Sequence, residues 1–249
     1  MKRQTFVLAC FLQFLGVFCD SRASFEYLSF VVSIQIKGDH QCSGSIYSVR
    51  NVLTSAECLK NFDESNLQDL TIKVGNISDF ETSTKAYSVK AIYLPENYHK
   101  NLGNRSAHNL ALIRLIEPIE PRFEAVSGDV RADQLAMFNF ATENITHRPK
   151  TMKGWQMTDT GLRLTSHRLS FVSKADCAKK LGLEVLMDDI LCSKVSSKNL
   201  PKEYFGGPAM DHTRQMGVTL WSENYNENES LVVYTDIGPN SQWLRDALA

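Results

Sequence analysis

Apolar positions recur along this chain in short, partly alternating runs rich in β-branched residues. Phe30 to Ile36 (Phe-Val-Val-Ser-Ile-Gln-Ile) is such a run; Gly38-Asp39 turns it and Ser45-Ile46-Tyr47 resumes. Asn51 to Cys58 reads as a second buried strand entering a turn. Leu70–Val74, Tyr87–Leu94 and Leu110–Leu115 are further extended runs between polar segments. Two stretches have helical spacing instead. Ser173–Leu181 opens on an N-cap serine, and Asn240–Leu248 places Trp243, Leu244, Ala247 and Leu248 on one face. Strands recurring every roughly ten to twenty residues, with so little helix, predict an all-β sandwich or barrel. The polar stretch 118–150 is the candidate connection between two β halves, and Ser222–Glu229 reads as a surface loop.

The N-terminus changes the picture. Lys2 and Arg3 precede an apolar run, Phe6 to Cys19, broken only by Gln13. That is a signal peptide, residues 1–19, with cleavage after Cys19 or as late as residue 23. The run is too short for a comfortable membrane span, and no later stretch approaches the roughly 18 apolar residues that spanning needs. The formal charge of −1 becomes −3 without Lys2 and Arg3. With no block of like charge, neither nucleic acid nor membrane insertion is implied.

Of the six cysteines, Cys10 and Cys19 fall in the signal. Cys42, Cys58, Cys177 and Cys192 remain. Four cysteines allow three pairings, of which two separate close pairs, 42–58 and 177–192, are the economical set in an oxidising compartment. A zinc site would need Cys-x-x-Cys or clustered histidines, and the sequence has neither. Sequons at Asn76, Asn104, Asn144 and Asn228 fit the same secretory route.

Ordered landmarks now carry a family resemblance over nearly the whole mature chain. Val32-Ser33-Ile34-Gln35 followed by Cys42-Ser43-Gly44-Ser45-Ile46 is similar to the opening strands of the trypsin-like serine proteases. Val52-Leu53-Thr54-Ser55-Ala56-Glu57-Cys58 resembles their Val-Leu-Thr-Ala-Ala-His-Cys. Asn109-Leu110-Ala111-Leu112-Ile113-Arg114-Leu115 resembles their Asp-Ile-Ala-Leu-Leu-Lys-Leu. Gly154-Trp155, Cys177, Cys192, Gly206-Gly207-Pro208, Trp221, Val233-Tyr234-Thr235 and Trp243 follow in the family's order. The resemblance implies two six-stranded antiparallel barrels, with a short intermediate helix and a C-terminal helix. The expected homology domain is 24–249, with barrels at about 30–118 and 135–238 and the helix at about 240–248.

The same resemblance implies that the chemistry is gone. A nucleophile, its base and the acid that orients the base are required, and the three positions hold Phe205, Glu57 and Asn109. Phe205 has no atom that attacks a carbonyl. Glu203 replaces the glycine whose amide helps build the oxyanion hole, bringing a carboxylate where donors are wanted. Tyr204 stands where an aspartate would pair with the new amine of an activated chain, and no Ile-Val-Gly-Gly-like start is present, so no activation cleavage is expected. At the specificity pocket the resemblance points to Asn199, Trp221, Ser222 and Val232, the last narrowing or plugging it; Pro201 stands where a bracing cysteine would be.

The expectation is a secreted, extracellular, non-enzymatic homologue that binds another secreted or cell-surface protein. An active serine protease or a protease inhibitor in an immune or reproductive-fluid network is the natural partner class. No cofactor or metal is expected. The alternative is a hydrolase, or a metal- or ligand-binding protein, with a site rebuilt from Glu57, Asn109 and a neighbour such as His108. The scattered histidines read as surface residues, and the three tryptophans as core or cleft-wall aromatics.

Overall fold

The computed structural model describes residues 30–74, 85–98, 107–119, 150–159, 161–198, 200–211 and 214–248. The signal segment, the sequons at Asn76, Asn104 and Asn144, Asn199, the side chain of Glu203 and most of the 118–150 connection lie outside the described residues.

Six strands form the first half: β1 (Val31–Ile36), β2 (Asp39–Ser48), β3 (Asn51–Thr54), β4 (Leu70–Val74), β5 (Lys85–Tyr93) and β6 (Ala111–Leu115). They close into a barrel in the order β1-β2-β3-β6-β5-β4. β2 begins at Asp39, six residues before the expected resumption at Ser45, because Lys37 and Gly38 make the turn with φ of 54° and 90°. The polar stretch 39–44 is then carried by its ladder to β1, where Ile34 faces Cys42 and Ser33 faces Ser43. The expected strand entering a turn over Asn51–Cys58 is β3 to Thr54 followed by the 3-10 turn Ala56–Leu59.

The alternation on β6 explains why Leu110–Leu115 is apolar at every position but Arg114. Ala111, Ile113 and Leu115 point into the barrel with Val32, Ile34 and Ile72. Leu110 and Leu112 point the other way, and with Leu53 meet Val218, Ile237 and Leu244. Both faces are largely buried, and the one charged position, Arg114, is only half-buried.

The second half contains β7 (Thr151–Thr158), β8 (Gly161–Arg168), β9 (Ser170–Val172), β10 (Ile190–Val195), β11 (Pro208–Asp211), β12 (Arg214–Asn224) and β13 (Ser230–Asp236), with helices α1 (Lys174–Lys180) and α2 (Ser241–Asp246). Its sheet runs β8-β7-β11-β12-β13-β10-β9, seven strands where six are expected. β8 and β9 stand at opposite ends of that order, yet only Leu169 separates them in sequence. They are one strand bent at Leu169, and counting it once restores six. The expected helices are both present. Ser173 caps α1, its Oγ accepting from Asp176 N at 3.0 Å, and α2 spans 6 residues, starting one later and ending two earlier than expected.

Cys42–Cys58 and Cys177–Cys192 are bonded, with Cα–Cα separations of 6.0 and 6.1 Å. The second staples α1 to β10 across 15 residues. Replacing both Cys177 and Cys192 by serine should cost about 3 kcal/mol, a fall of roughly 6–12 °C in Tm for a chain of this size. A thermal scan of the double variant checks this; an unchanged Tm would assign the stapling to the packing around Cys177 alone.

Candidate functional site

Glu57 and Asn109 meet directly, and Phe205 is tied to β2 of the same half through Ser43. At the end of β3, Thr54 Oγ1 donates to Ser43 O at 2.9 Å, and Cys58 is tied to Cys42, so the 3-10 turn carrying Glu57 is fixed at both ends. Asn109 is fully buried, and its Oδ1 accepts from the backbone N–H of Glu57 at 2.9 Å. The amide thus holds the turn itself. Glu57 is ion-paired with Lys60, three residues on along the turn, and its side chain is only 12% exposed. Its Oε2 and the hydroxyl of Tyr98 are buried and take no hydrogen bond from a described residue. Burial, and then the charge of Glu57, push the Tyr98 phenol up to about 12. This corner is a closed carboxylate with a lysine over it.

The opposite wall is the segment Pro201–Pro208. Lys202–Tyr204 forms a 3-10 turn, in which Tyr204 N donates to Pro201 O at 3.2 Å and Phe205 N donates to Lys202 O at 3.0 Å. The Phe205 amide therefore points into its own turn, while its carbonyl accepts from Ser43 N at 2.9 Å. The Phe205 ring is half-buried against the cluster of Met152, Tyr204 and Tyr234. An oxyanion hole needs amides free to donate outward, and this one is committed.

Gly206 and Gly207 have a packing reason to be there. Gly206 has φ of 82°, and a Cβ on it would overlap Thr54 Oγ1 and the Ser43 carbonyl. A Cβ on Gly207 would overlap the Lys153 carbonyl. The two barrels meet backbone to backbone at this point, and only glycine lets them.

Tyr204 is fully buried below the turn. Its hydroxyl lies 2.9 Å from His167 Nε2 and donates to Gln156 Oε1 at 3.3 Å. The two rings are tilted, 5.2 Å apart. Burial raises the phenol's pKa and lowers that of the imidazole, so both are held neutral. A neutral hydrogen-bonded chain fills the place where the resemblance implies an ion pair.

At the specificity positions Val232 is fully buried with Leu200, Val195 and Tyr234, and Trp221 packs half-buried against Leu220, Leu231 and Val233. Ser222 faces Val232 across the β12–β13 ladder. Together with Leu200, Glu223, Asn224 and Ser230 it lines an open depression of about 560 Å³. Ser222–Glu229, expected as a loop, is half strand: β12 runs to Asn224, and the turn beyond it is closed by Tyr225 N donating to Glu229 O at 2.9 Å.

His108 does not join Glu57. Its backbone, at φ 54°, donates to Asp189 Oδ2 at 2.6 Å, and its Nδ1 lies 2.6 Å from Asn240 Oδ1. Asn240 Nδ2 in turn reaches Asp189 Oδ2 at 3.3 Å and Asp236 O at 2.9 Å. This knot ties β6, β10, β13 and α2 together. Burial holds the Asp236 carboxyl above the usual carboxylate range. No group of three His, Cys, Asp or Glu side chains able to hold a metal exists among the described residues.

His40, His108 and His167 are all half-buried and bonded, contrary to the expectation that they are surface residues. Their partners Ser33, Asn240 and Tyr204 lie 7 to 132 positions away, so no local pattern announces them. Lys60 was the findable one: i,i+3 spacing from Glu57 is a side-chain pairing distance on a helical turn. Trp155 is core as expected, its Nε1 donating to Val31 O at 3.0 Å.

Known proteins resemble this arrangement along most of its length. A model of the family described as Trypsin matches residues 19–244. Trypsin epsilon of Drosophila erecta is 27% identical over 220 residues, covering 86% of this chain and 80% of that protein. Trypsin alpha of the same fly is 25% identical over 221 residues, with the same coverage. Among solved structures, neuropsin, a serine protease expressed in the limbic system of mouse brain, superposes with a TM-score of 0.68 at 17% identity, covering 89% of this chain and 95% of that one. A closed first barrel, a second sheet closed through a bent strand and a family match spanning both halves lead to one conclusion: this chain belongs to the trypsin family of serine proteases.

Proposed function

We propose that this chain is a secreted member of the trypsin family that has given up catalysis. It acts by binding other proteins, as a cofactor, decoy or regulator in an extracellular protease network. One observation carries the reading: Phe205 occupies the position the family resemblance gives to the nucleophile, and it offers only a half-buried hydrocarbon ring. The surroundings support it. The Phe205 amide is bonded to Lys202 O, Asn109 is used up on the Glu57 backbone, and Glu57 is paired with Lys60. The relatives are named trypsins, and this chain departs from a trypsin's chemistry at these positions. Secretion is supported by the two disulfides, by the signal-like N-terminus, and by the lack of any described helix long and apolar enough to cross a membrane.

A fluorophosphonate probe tests the chemistry, since it labels only an activated serine. No labelling is expected from the wild-type chain, nor from Phe205→Ser, because a serine there would still lack a base and a free amide. Labelling of the wild-type chain would refute the reading. Affinity capture from the native fluid tests the binding half: enrichment of a serine protease or a protease inhibitor is expected, and unrelated proteins alone would remove the protease-network part.

A further inference from the structure

We infer that Asn228 carries an N-linked glycan that screens the mouth of the old specificity cleft, so that the sugar regulates which molecules reach it. The inference rests on the reading above only in treating that cleft as a binding face. The Asn-Glu-Ser sequon sits on the β12–β13 turn, with Asn228 exposed. Asn226 and Glu229 of this turn are occupied with its own groups and with Lys194. Asn226 Oδ1 accepts from Asn228 N and Glu229 N, both at 2.9 Å, and Asn226 Nδ2 donates to Glu229 Oε2 at 2.6 Å. Lys194 Nζ pairs with that carboxylate at 3.4 Å and lies 5.1 Å from the Tyr225 ring centroid, while Lys180 Nζ lies 5.5 Å from the same centroid. The tip is therefore tied down, and the Asn228 side-chain amide takes no part in tying it. A glycan attached there breaks nothing.

The same hairpin supplies Ser222, Glu223, Asn224 and Ser230 to the wall of the depression. A bulky, hydrated sugar four residues from Asn224 and two from Ser230 stands over that wall, held in place by a rigid turn. The Ser230 hydroxyl that completes the sequon is buried and donates to Ser197 O at 2.7 Å. The transferring enzyme must reach that hydroxyl, so the sugar goes on before β13 pairs, as export proceeds.

Two measurements on the intact secreted protein test this. Glycopeptide mass spectrometry should find Asn228 occupied. A cysteine placed by Ser222→Cys should then react several-fold more slowly with a polymer-linked maleimide in the glycosylated chain than in the same chain carrying Asn228→Gln, while iodoacetamide reacts at equal rates in both. Unmodified Asn228 overturns the proposal, and so do equal polymer-maleimide rates with and without the sequon. Neither measurement needs a partner or an activity assay. A failed screen therefore leaves the non-catalytic reading standing, and a fluorophosphonate-labelled chain with a screened cleft refutes that reading alone.

Discussion

Gly206→Ala is expected to lower stability by about 4 kcal/mol, which is roughly 8–16 °C in Tm, and to cut the yield of secreted protein with it. Two effects add. The backbone at Gly206 has φ of 82°, a conformation that costs a Cβ-bearing residue about 1–2 kcal/mol. The new methyl would also collide with Thr54 Oγ1 and the Ser43 carbonyl. Neither neighbour can step aside: Thr54 ends β3, and Ser43 N is bonded to Phe205 O while its strand forms the ladder to β1. Gly182→Ala is the control. Gly182 also has positive φ, 67°, but nothing lies within 4 Å of its added Cβ, so only the backbone share of about 1 kcal/mol should appear. Similar losses in the two variants would show that the steric seam at Gly206 contributes nothing.

Tyr204→Asp, which writes the family's aspartate back into its place, should be at least as damaging and should depend on pH. The change removes a fully buried ring, leaves His167 and Gln156 facing a hole, and buries a carboxyl. Loss of a large aromatic costs about 3–5 kcal/mol before charge is considered. A carboxyl buried here has its folded pKa raised above the unfolded value of about 4, because desolvation penalises the anion. The sign follows from linkage: the unfolded chain releases its proton first, so the extra destabilisation is absent below about pH 4 and grows as pH rises through the folded pKa. Denaturant unfolding at pH 4 and pH 7 reads it directly, with the larger deficit at pH 7. Tyr204→Phe should lose only the hydroxyl's bonds, about 1–2 kcal/mol, with no such pH dependence. A pH-independent deficit for Tyr204→Asp would mean that the new carboxylate finds a donor and is not buried unpaired.

The features legible in the sequence are the ones written locally. The strand-to-turn passage at Asn51–Cys58, the cap at Ser173 and the mostly apolar run Leu110–Leu115 are each set by neighbours in the chain, and the two short disulfides are the economical pairing of four cysteines. The family resemblance supplied what periodicity could not, namely two antiparallel barrels, while their backbone-to-backbone approach at Gly206-Gly207 is seen only in the structure. What escaped depends on distance along the chain. β2 extends over six polar-leaning residues because β1 needs a partner there, not because of any propensity in Asp39–Gly44. Ser222–Asn224 becomes strand because β13 lies beside it. The histidines look like surface residues until Ser33, Asn240 and Tyr204 are folded against them. At the candidate site the substituted positions could be named from the sequence, but their new employment could not: Asn109 holding a backbone turn, Lys60 covering Glu57, and Tyr204 bonded to His167 are facts of packing.

The bend at Leu169 has a consequence for how this protein keeps company with itself. An open sheet ends in two strands whose outward N–H and C=O groups can recruit a strand from another molecule. Here the two ends of the second sheet are halves of one strand, one laddered to β7 and the other to β10, and the single residue between them links the ends. Leu169 itself is buried, with its N–H given to Lys150 O at 2.8 Å, so the bend is anchored from inside. The ends of this sheet are therefore tied to each other through the chain, and neither is a strand on its own.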